Sequence, residues 1–211
     1  VYGRLKYDPP IREDHPRHPI GEYSDSKRCI EDYCMQHRRD GLRVSIFRPR
    51  LIIGPGRLGI LTNLFRFIKW NLPVPMIGSG ANHYQMISVF DCASAAVMSA
   101  KRGVVDGEFN LGSENPPTVR TLLNGLIERV RSRSIPVPTP APAVKAVLRM
   151  LDSMDLSLMV PEQYEIADAD YVIDIRHTKT ALDWRPKYDD ISMFNQAYDD
   201  FTAGRKADEH F

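Results

Sequence analysis

Tyr23-Ser-Asp-Ser-Lys27 sets a phenol and an ammonium four residues apart. On a helix that interval puts both side chains on one face, close enough for the cation to act on the phenol. A free tyrosine titrates at about 10, too high for proton exchange near neutrality, and a neighbouring cation favours the phenolate. The pair could therefore move a proton to or from an alcohol or carbonyl. Tyr and Lys also decorate many solvated helix faces, so the surrounding elements decide whether the pair does chemistry.

Those elements read as alternating helix and strand. Residues 3–22 carry Pro9, Pro10, Pro16 and Pro19 among charges and form a loop. Residues 23–39 hold no Gly or Pro and repeat Ile30, Tyr33, Cys34 and His37 at helical spacing until Gly41. That pattern predicts a helix with an apolar stripe for the sheet and a second, partly apolar face. A strand at 42–47, closed by Arg48-Pro49, completes an αβ unit and points to a parallel sheet. Further on, the pattern predicts a helix at 61–70, strands at 74–77 and 85–90, and a helix from an Asp91 N-cap to 101. A strand at 108–111 precedes a helix capped by Thr118. Residues 135–142 alternate Pro with small or β-branched residues and read as an extended connector. Helices at 143–153 and 161–167, a strand at 171–175 and helices at 178–182 and 191–203 complete the chain.

Gly54-Pro-Gly56-Arg-Leu-Gly59 matches the dinucleotide fingerprint GxGxxG in spelling. That fingerprint also needs an acidic residue about 20 positions on, and none stands between Gly59 and Asp91. Pro55 further removes a backbone N–H from the loop that would cradle phosphate. The loop is expected to border a cleft rather than to bind pyrophosphate.

The order Val1-Tyr2-Gly3, Glu13-Asp14-His15-Pro16, Tyr23-x-x-x-Lys27, Arg48-Pro49 and Gly54-Pro-Gly56 resembles the extended short-chain dehydrogenase/reductases, the NAD(P)-dependent sugar epimerase/dehydratase family. Asp91, Phe109-Asn110-Leu111-Gly112 before Val119, and Leu182-Asp183-Trp184-Arg185-Pro186 extend the resemblance along the whole chain. It implies the C-terminal part of a Rossmann-type parallel sheet over residues 1–60. Residues 61–211 would be mainly a small mixed α/β substrate-binding region, some segments of which return to the core. It also implies that Tyr23 is the acid/base, that Lys27 lowers its pKa and bonds the nicotinamide ribose, and that backbone at Pro49, Arg50 and Leu51 lies near the carboxamide. The cofactor would be NAD or NADP, with its main binding region upstream of Val1, together with a substrate-binding Ser or Thr. His83, Tyr84 and Gln85 fall on the substrate side. Many nucleotide-sugar enzymes of the family carry a diphosphate-clamping Arg there, and this chain has none. Epimerase, dehydratase and reductase remain open on a sugar-like or nucleotide-sugar substrate. The alternative is a split or non-catalytic relative serving as a binding or assembly module. Family members pair through the helix at 23–39, which implies a homodimer.

Bulk properties exclude several other classes. With 28 basic against 27 acidic residues the net charge is +1, too little to draw the protein to nucleic acid or an anionic membrane. The most apolar stretch, 144–160, is broken by Lys145, Arg149, Asp152 and Asp155 and cannot span a bilayer. Cys29, Cys34 and Cys92 are odd in number and lack CxxC or Cys/His spacing, which argues for a reduced cytoplasmic protein without disulfides or zinc. His15, His18, His37, His177 and His210 show no metal-ligand spacing, and Trp70 and Trp184 read as core or interface anchors.

Overall fold

Glycine bounds the first helix on both sides. The computed structural model describes residues 1–3, 8–55, 61–153 and 164–204. Helix α1 (Glu22–Arg38) starts after Gly21 at φ 112°, and the chain leaves it through Gly41 at φ 94°. Gly21 offers no capping side chain, so Ser24 acts from inside the first turn. Its Oγ accepts from Ile20 N at 2.9 Å and donates to Gly21 O at 3.2 Å. Glu22 and Asp25 in the first turn, with His37 and Arg38 in the last, complement the helix dipole.

Strands β1 (Ser45–Pro49) and β2 (Leu51–Ile53) follow, divided by Arg50. Then come α2 (Leu61–Lys69), β3 (Val74–Ile77), β4 (Met86–Ser88), α3 (Val89–Lys101), β5 (Gly107–Leu111), α4 (Val119–Arg129), β6 (Pro136–Thr139) and α5 (Ala141–Ser153). Helices Arg176–Leu182 and Asp190–Thr202 close the described chain. The described strands pair in parallel: β1 with β5, β2 with β4, β3 with β6. The architecture is α/β with short parallel sheets, as expected. Arg50 N donates to Leu111 O at 2.8 Å, carrying the β1–β5 ladder one step beyond Pro49. The chain then changes partner, with Leu51 opposite Met86. Arg50 thus stands at the carboxyl end of a parallel strand where the pairing switches, the place where open α/β sheets hold ligands.

Two apolar clusters back this framework. In one, amphipathic α2 buries Leu61, Phe65 and Ile68 against α4 and the last helix, and the Phe65 ring meets those of Phe194 and Tyr198 edge-on at 5.2 and 5.3 Å. The other joins Ile87, Phe109, Leu111 and Leu182 to Trp184, whose indole N–H donates to Ser94 Oγ at 2.8 Å. Trp184 is the expected core anchor; Trp70 is exposed.

Several local expectations need correction. Helix α3 is capped by Ser88, whose Oγ accepts from Phe90 N at 3.2 Å, so the strand expected at 85–90 ends early. Asp91 lies inside the first turn, buried, and accepts from Lys187 N at 3.0 Å and Tyr188 N at 3.3 Å. Thr118 does cap α4, accepting from Thr121 N at 3.1 Å. The expected connector at 135–142 contains β6, because an edge strand tolerates Pro where its missing N–H faces away from the ladder. The segment expected as a strand at 171–175 forms only single bridges, Tyr84 to Tyr171 and Ile11 to Ile173. The first three residues of the helix expected at 161–167 lie outside the described residues; from Tyr164 the chain makes one short turn. On α1 the apolar stripe does not pack inward. Ile30 and Tyr33 are exposed, whereas Glu31 is the buried residue.

The last helix carries a pH-sensitive contact. Asp189 caps it, accepting from Ser192 N at 2.9 Å. Asp190 turns inward to accept from Met86 N at 2.7 Å and from the Ser113 hydroxyl at 2.5 Å. Burial pushes its carboxyl up to about 6. An unfolded aspartate titrates at about 3.9, so the native state binds the extra proton between those values. This group therefore favours the fold at acid pH, and that advantage is lost as pH rises through about 4 to 6, on the order of 2 to 3 kcal/mol. An asparagine in its place would keep an oxygen for Met86 N without a charge. Denaturation curves of Asp190→Asn should therefore lose this component of the pH dependence; a wild-type-minus-variant difference constant from pH 4 to 7 would show that Asp190 is not its source.

Candidate active site

A charged joint ties the first residues to α1 and to the end of β1. Gly3 (φ 64°) bridges His18, and a Cβ on Gly3 would sit 1.4 Å from His18 O, so no other residue fits there. Beside it the Tyr2 hydroxyl donates to Asn110 Oδ1 at 2.7 Å. Arg48 grips the buried Glu31 with two nitrogens, at 3.0 and 2.8 Å, and donates to Tyr2 Oη and Glu13 O, both at 2.9 Å. Arg17 adds bonds to Glu31 and Asp32 at 3.2 and 2.6 Å. Asn110 completes the joint, its amide donating to Ile11 O and Asp174 O. These bonds fix the rotation of α1 about its axis relative to β1 and β5.

That rotation turns Tyr23 and Lys27 to one cavity. The Lys27 ammonium lies 5.3 Å from the centroid of the Tyr23 ring, a cation over an aromatic face, and both side chains remain exposed to solvent. The cavity, about 580 Å³, is lined by Tyr23 and Lys27 and by Pro49, Arg50, Leu51 and Tyr84. Five residues read from the sequence as catalytic or cofactor-binding thus share one wall system with one of the three read as substrate-binding.

The other two go elsewhere. Gln85 is buried, with its amide engaged at both ends: Nε2 donates to Ser113 O at 2.9 Å and Ile173 O at 3.2 Å, and Oε1 accepts from Ile173 N at 2.8 Å. It substitutes for a strand partner of residues 171–175, which is why that segment needs no ladder. Gly112 makes room for it, since a Cβ at 112 would lie 2.5 Å from Gln85 Nε2. His83 is outside the cavity wall; its Nδ1 pairs with Asp170 Oδ1 at 2.8 Å. Of the glycine-rich loop, Gly54 packs so that a Cβ would meet Val89 Cγ1 at 2.5 Å, and residues 56–60 lie outside the described residues.

Sequence reasoning missed the Arg48–Glu31 joint and Tyr171. Arg48 stood in plain view before Pro49, but nothing local showed that the helix would bury its glutamate. Tyr171 lines the cavity with its ring 4.5 Å from the Arg50 guanidinium, and burial pushes its phenol up to about 12. No described helix is long and apolar enough to cross a membrane.

Solved structures with the same fold include dTDP-glucose 4,6-dehydratase from Bacillus anthracis in complex with NAD, at 20% identity and a TM-score of 0.70 over 96% of this chain and 59% of that one. UDP-glucose 4-epimerase from Thermotoga maritima with UDP-glucose matches at 22% identity and a TM-score of 0.70, over 96% of this chain and 60% of that one. UDP-glucuronic acid 4-epimerase from Bacillus cereus in complex with NAD matches at 16% and 0.69, over 98% and 60%. A curated relative, the uncharacterized protein y4nG of Sinorhizobium fredii, is 29% identical over 97% of this chain, which spans 52% of that relative. The chain thus spans little more than half the length of the proteins it matches. The model of the NAD dependent epimerase/dehydratase family matches residues 1–112, over half of the chain, and the chain belongs to that family.

Proposed function

We propose that this chain forms the nicotinamide and substrate side of an NAD(P)-dependent enzyme that exchanges hydride and proton with a sugar-like alcohol or ketone, a nucleotide-sugar being the favoured class. One observation carries the reading: Tyr23 and Lys27 face the same cavity as the wall 49–51 and Tyr84. The solved relatives, a dTDP-glucose 4,6-dehydratase and two UDP-sugar 4-epimerases by name, support the substrate class.

The residues fit a nicotinamide riboside. The cavity volume falls within the range for small-molecule sites, and its wall offers apolar surface at Phe47, Pro49 and Leu51. Lys27 would hold the ribose, and backbone at 49–51 the carboxamide. When bound, the cofactor supplies a hydride acceptor or donor. This chain's own part is the proton: Tyr23 Oη gives it to, or takes it from, the substrate oxygen, and the Lys27 cation stabilises the phenolate left behind.

Lys27→Ala in the full-length protein tests the reading because one ammonium would serve both phenol and ribose. Turnover and NAD(P) affinity should fall together, by roughly tenfold or more. A changed melting midpoint with activity and affinity intact would make Lys27 a surface residue and return the chain to the assembly-module alternative.

A further inference from the structure

Among the described residues Arg50 is a cation without an anion. Its Nε donates to Tyr171 O at 3.1 Å and its guanidinium lies over the Tyr171 ring, but among the described residues its terminal nitrogens have no hydrogen-bond or ion-pair partner. The neighbouring arginines differ: Arg48 is bound to Glu31, Arg17 to Glu31 and Asp32, and Arg38 to Asp106 and Glu108. Burial pulls the Arg50 guanidinium below its ordinary value, and among the described residues the titratable groups acting on it are the phenols of Tyr84 and Tyr171. Neither phenol makes a hydrogen bond among the described residues, and both rings line the cavity with Arg50. Among the described residues Glu31 is the one carboxylate in that lining, and Arg48 and Arg17 already hold it.

A partly desolvated cation without a counter-charge is unfavourable unless something else supplies the anion. Here Tyr171 holds the stem of the fork in a fixed plane, which leaves the terminal N–H groups and two phenolic O–H donors unused around open volume. A planar fork of this kind suits two oxygens on one centre, as in a carboxylate or phosphate. The position adds a reason: Arg50 is the residue at which the strand changes partner, at the carboxyl edge of the sheet. The sequence offers no arginine at 83–86 for an acidic substrate group; Arg50 reaches the same cavity from a different strand.

We propose that Arg50, with the hydroxyls of Tyr84 and Tyr171, is an oxyanion-binding site that fixes an acidic group of the substrate, either a phosphate or a sugar carboxylate. The inference rests on the cavity being the substrate's place, and so deepens the function proposed above. Its test is binding without cofactor or turnover, so that failure here leaves the Tyr23–Lys27 reading standing, and failure of that reading leaves this one measurable.

Sodium pyrophosphate and sodium glucuronate are titrated calorimetrically into the full-length protein and its Arg50→Gln, Arg50→Lys and Tyr84→Phe variants, each checked for a wild-type-like melting transition. Saturable binding of at least one probe is expected, weakened at least about tenfold in Arg50→Gln and less in Arg50→Lys, which keeps charge but not the fork. Tyr84→Phe should weaken it several-fold. Loss confined to pyrophosphate assigns the phosphate, and loss confined to glucuronate the carboxylate. If Arg50→Gln does not fold, the Lys and Tyr84→Phe variants decide. Absence of saturable binding to wild type, or affinity indifferent to the folded variants, would overturn the site.

Discussion

Tyr23→Phe in the full-length protein is expected to lower turnover by at least about 10²-fold while leaving NAD(P) affinity nearly unchanged. The change removes one oxygen from a ring that stays in place. What disappears is the transferable proton, and positioned acid/base groups contribute about 10² to 10⁴ in rate. The ring's exposure sharpens the expectation, because Tyr23 packs into no core and its hydroxyl makes no hydrogen bond among the described residues. The fold should therefore be indifferent to the substitution, and a loss of rate could not be assigned to unfolding. Steady-state turnover, together with cofactor titration by fluorescence, separates the two terms. Wild-type turnover would remove Tyr23 from the mechanism; a parallel collapse of cofactor affinity would make it a binding residue instead.

The second large effect concerns stability. Arg48 and Glu31 are both buried, at 7% and 6% exposure, and meet through two nitrogens and two oxygens. Removing Arg48 leaves the buried Glu31 carboxylate with only the 3.2 Å bond from Arg17, and breaking a buried pair costs about 3 to 5 kcal/mol. Arg48→Met should fall in that range, since Tyr2 Oη and Glu13 O also lose their donor. Glu31→Leu combined with Arg48→Met should recover part of the loss, because two apolar groups of similar size need no counter-charge. Urea denaturation of the single and double variants measures this as a coupling. Additive losses, or a single variant within about 0.5 kcal/mol of wild type, would mean that the pair does not hold α1 to the sheet.

What the sequence made legible was governed by neighbours in the chain. The helix expected at 23–39 is α1, because its limits are set by Gly21 and Gly41, and Thr118 caps α4 through a contact only three residues long. The parallel class followed from helix, glycine and strand in succession. What stayed illegible depends on distant partners. Glu31 reads as a solvated helix residue until Arg48, 17 positions on, is seen to bind it. Gln85 reads as a substrate donor until Ile173, 88 positions on, takes both ends of its amide. Arg50 appeared in the sequence as a stretch of backbone; its side chain acquires meaning only when Tyr84 and Tyr171, bridged to each other, come beside it.

The Gln85 joint also bears on how such a cavity can evolve. Its bonds hold the backbone beside both wall tyrosines, one residue from Tyr84 and two from Tyr171, without involving either phenol. The side chain at 84 can therefore be exchanged for others while the backbone keeps its bonds, whereas Tyr171 is less free because its ring is buried with Tyr2, Ile11 and Ile173. Positions 85 and 112 have the opposite character. Any side chain at 112 collides with the Gln85 amide, so we expect strong epistasis: a larger residue at 112 should be accepted only where 85 has already become small and its backbone bonds have been replaced. Variation at the cavity wall would then gather at 84, and the locked pair at 85 and 112 would change together or not at all.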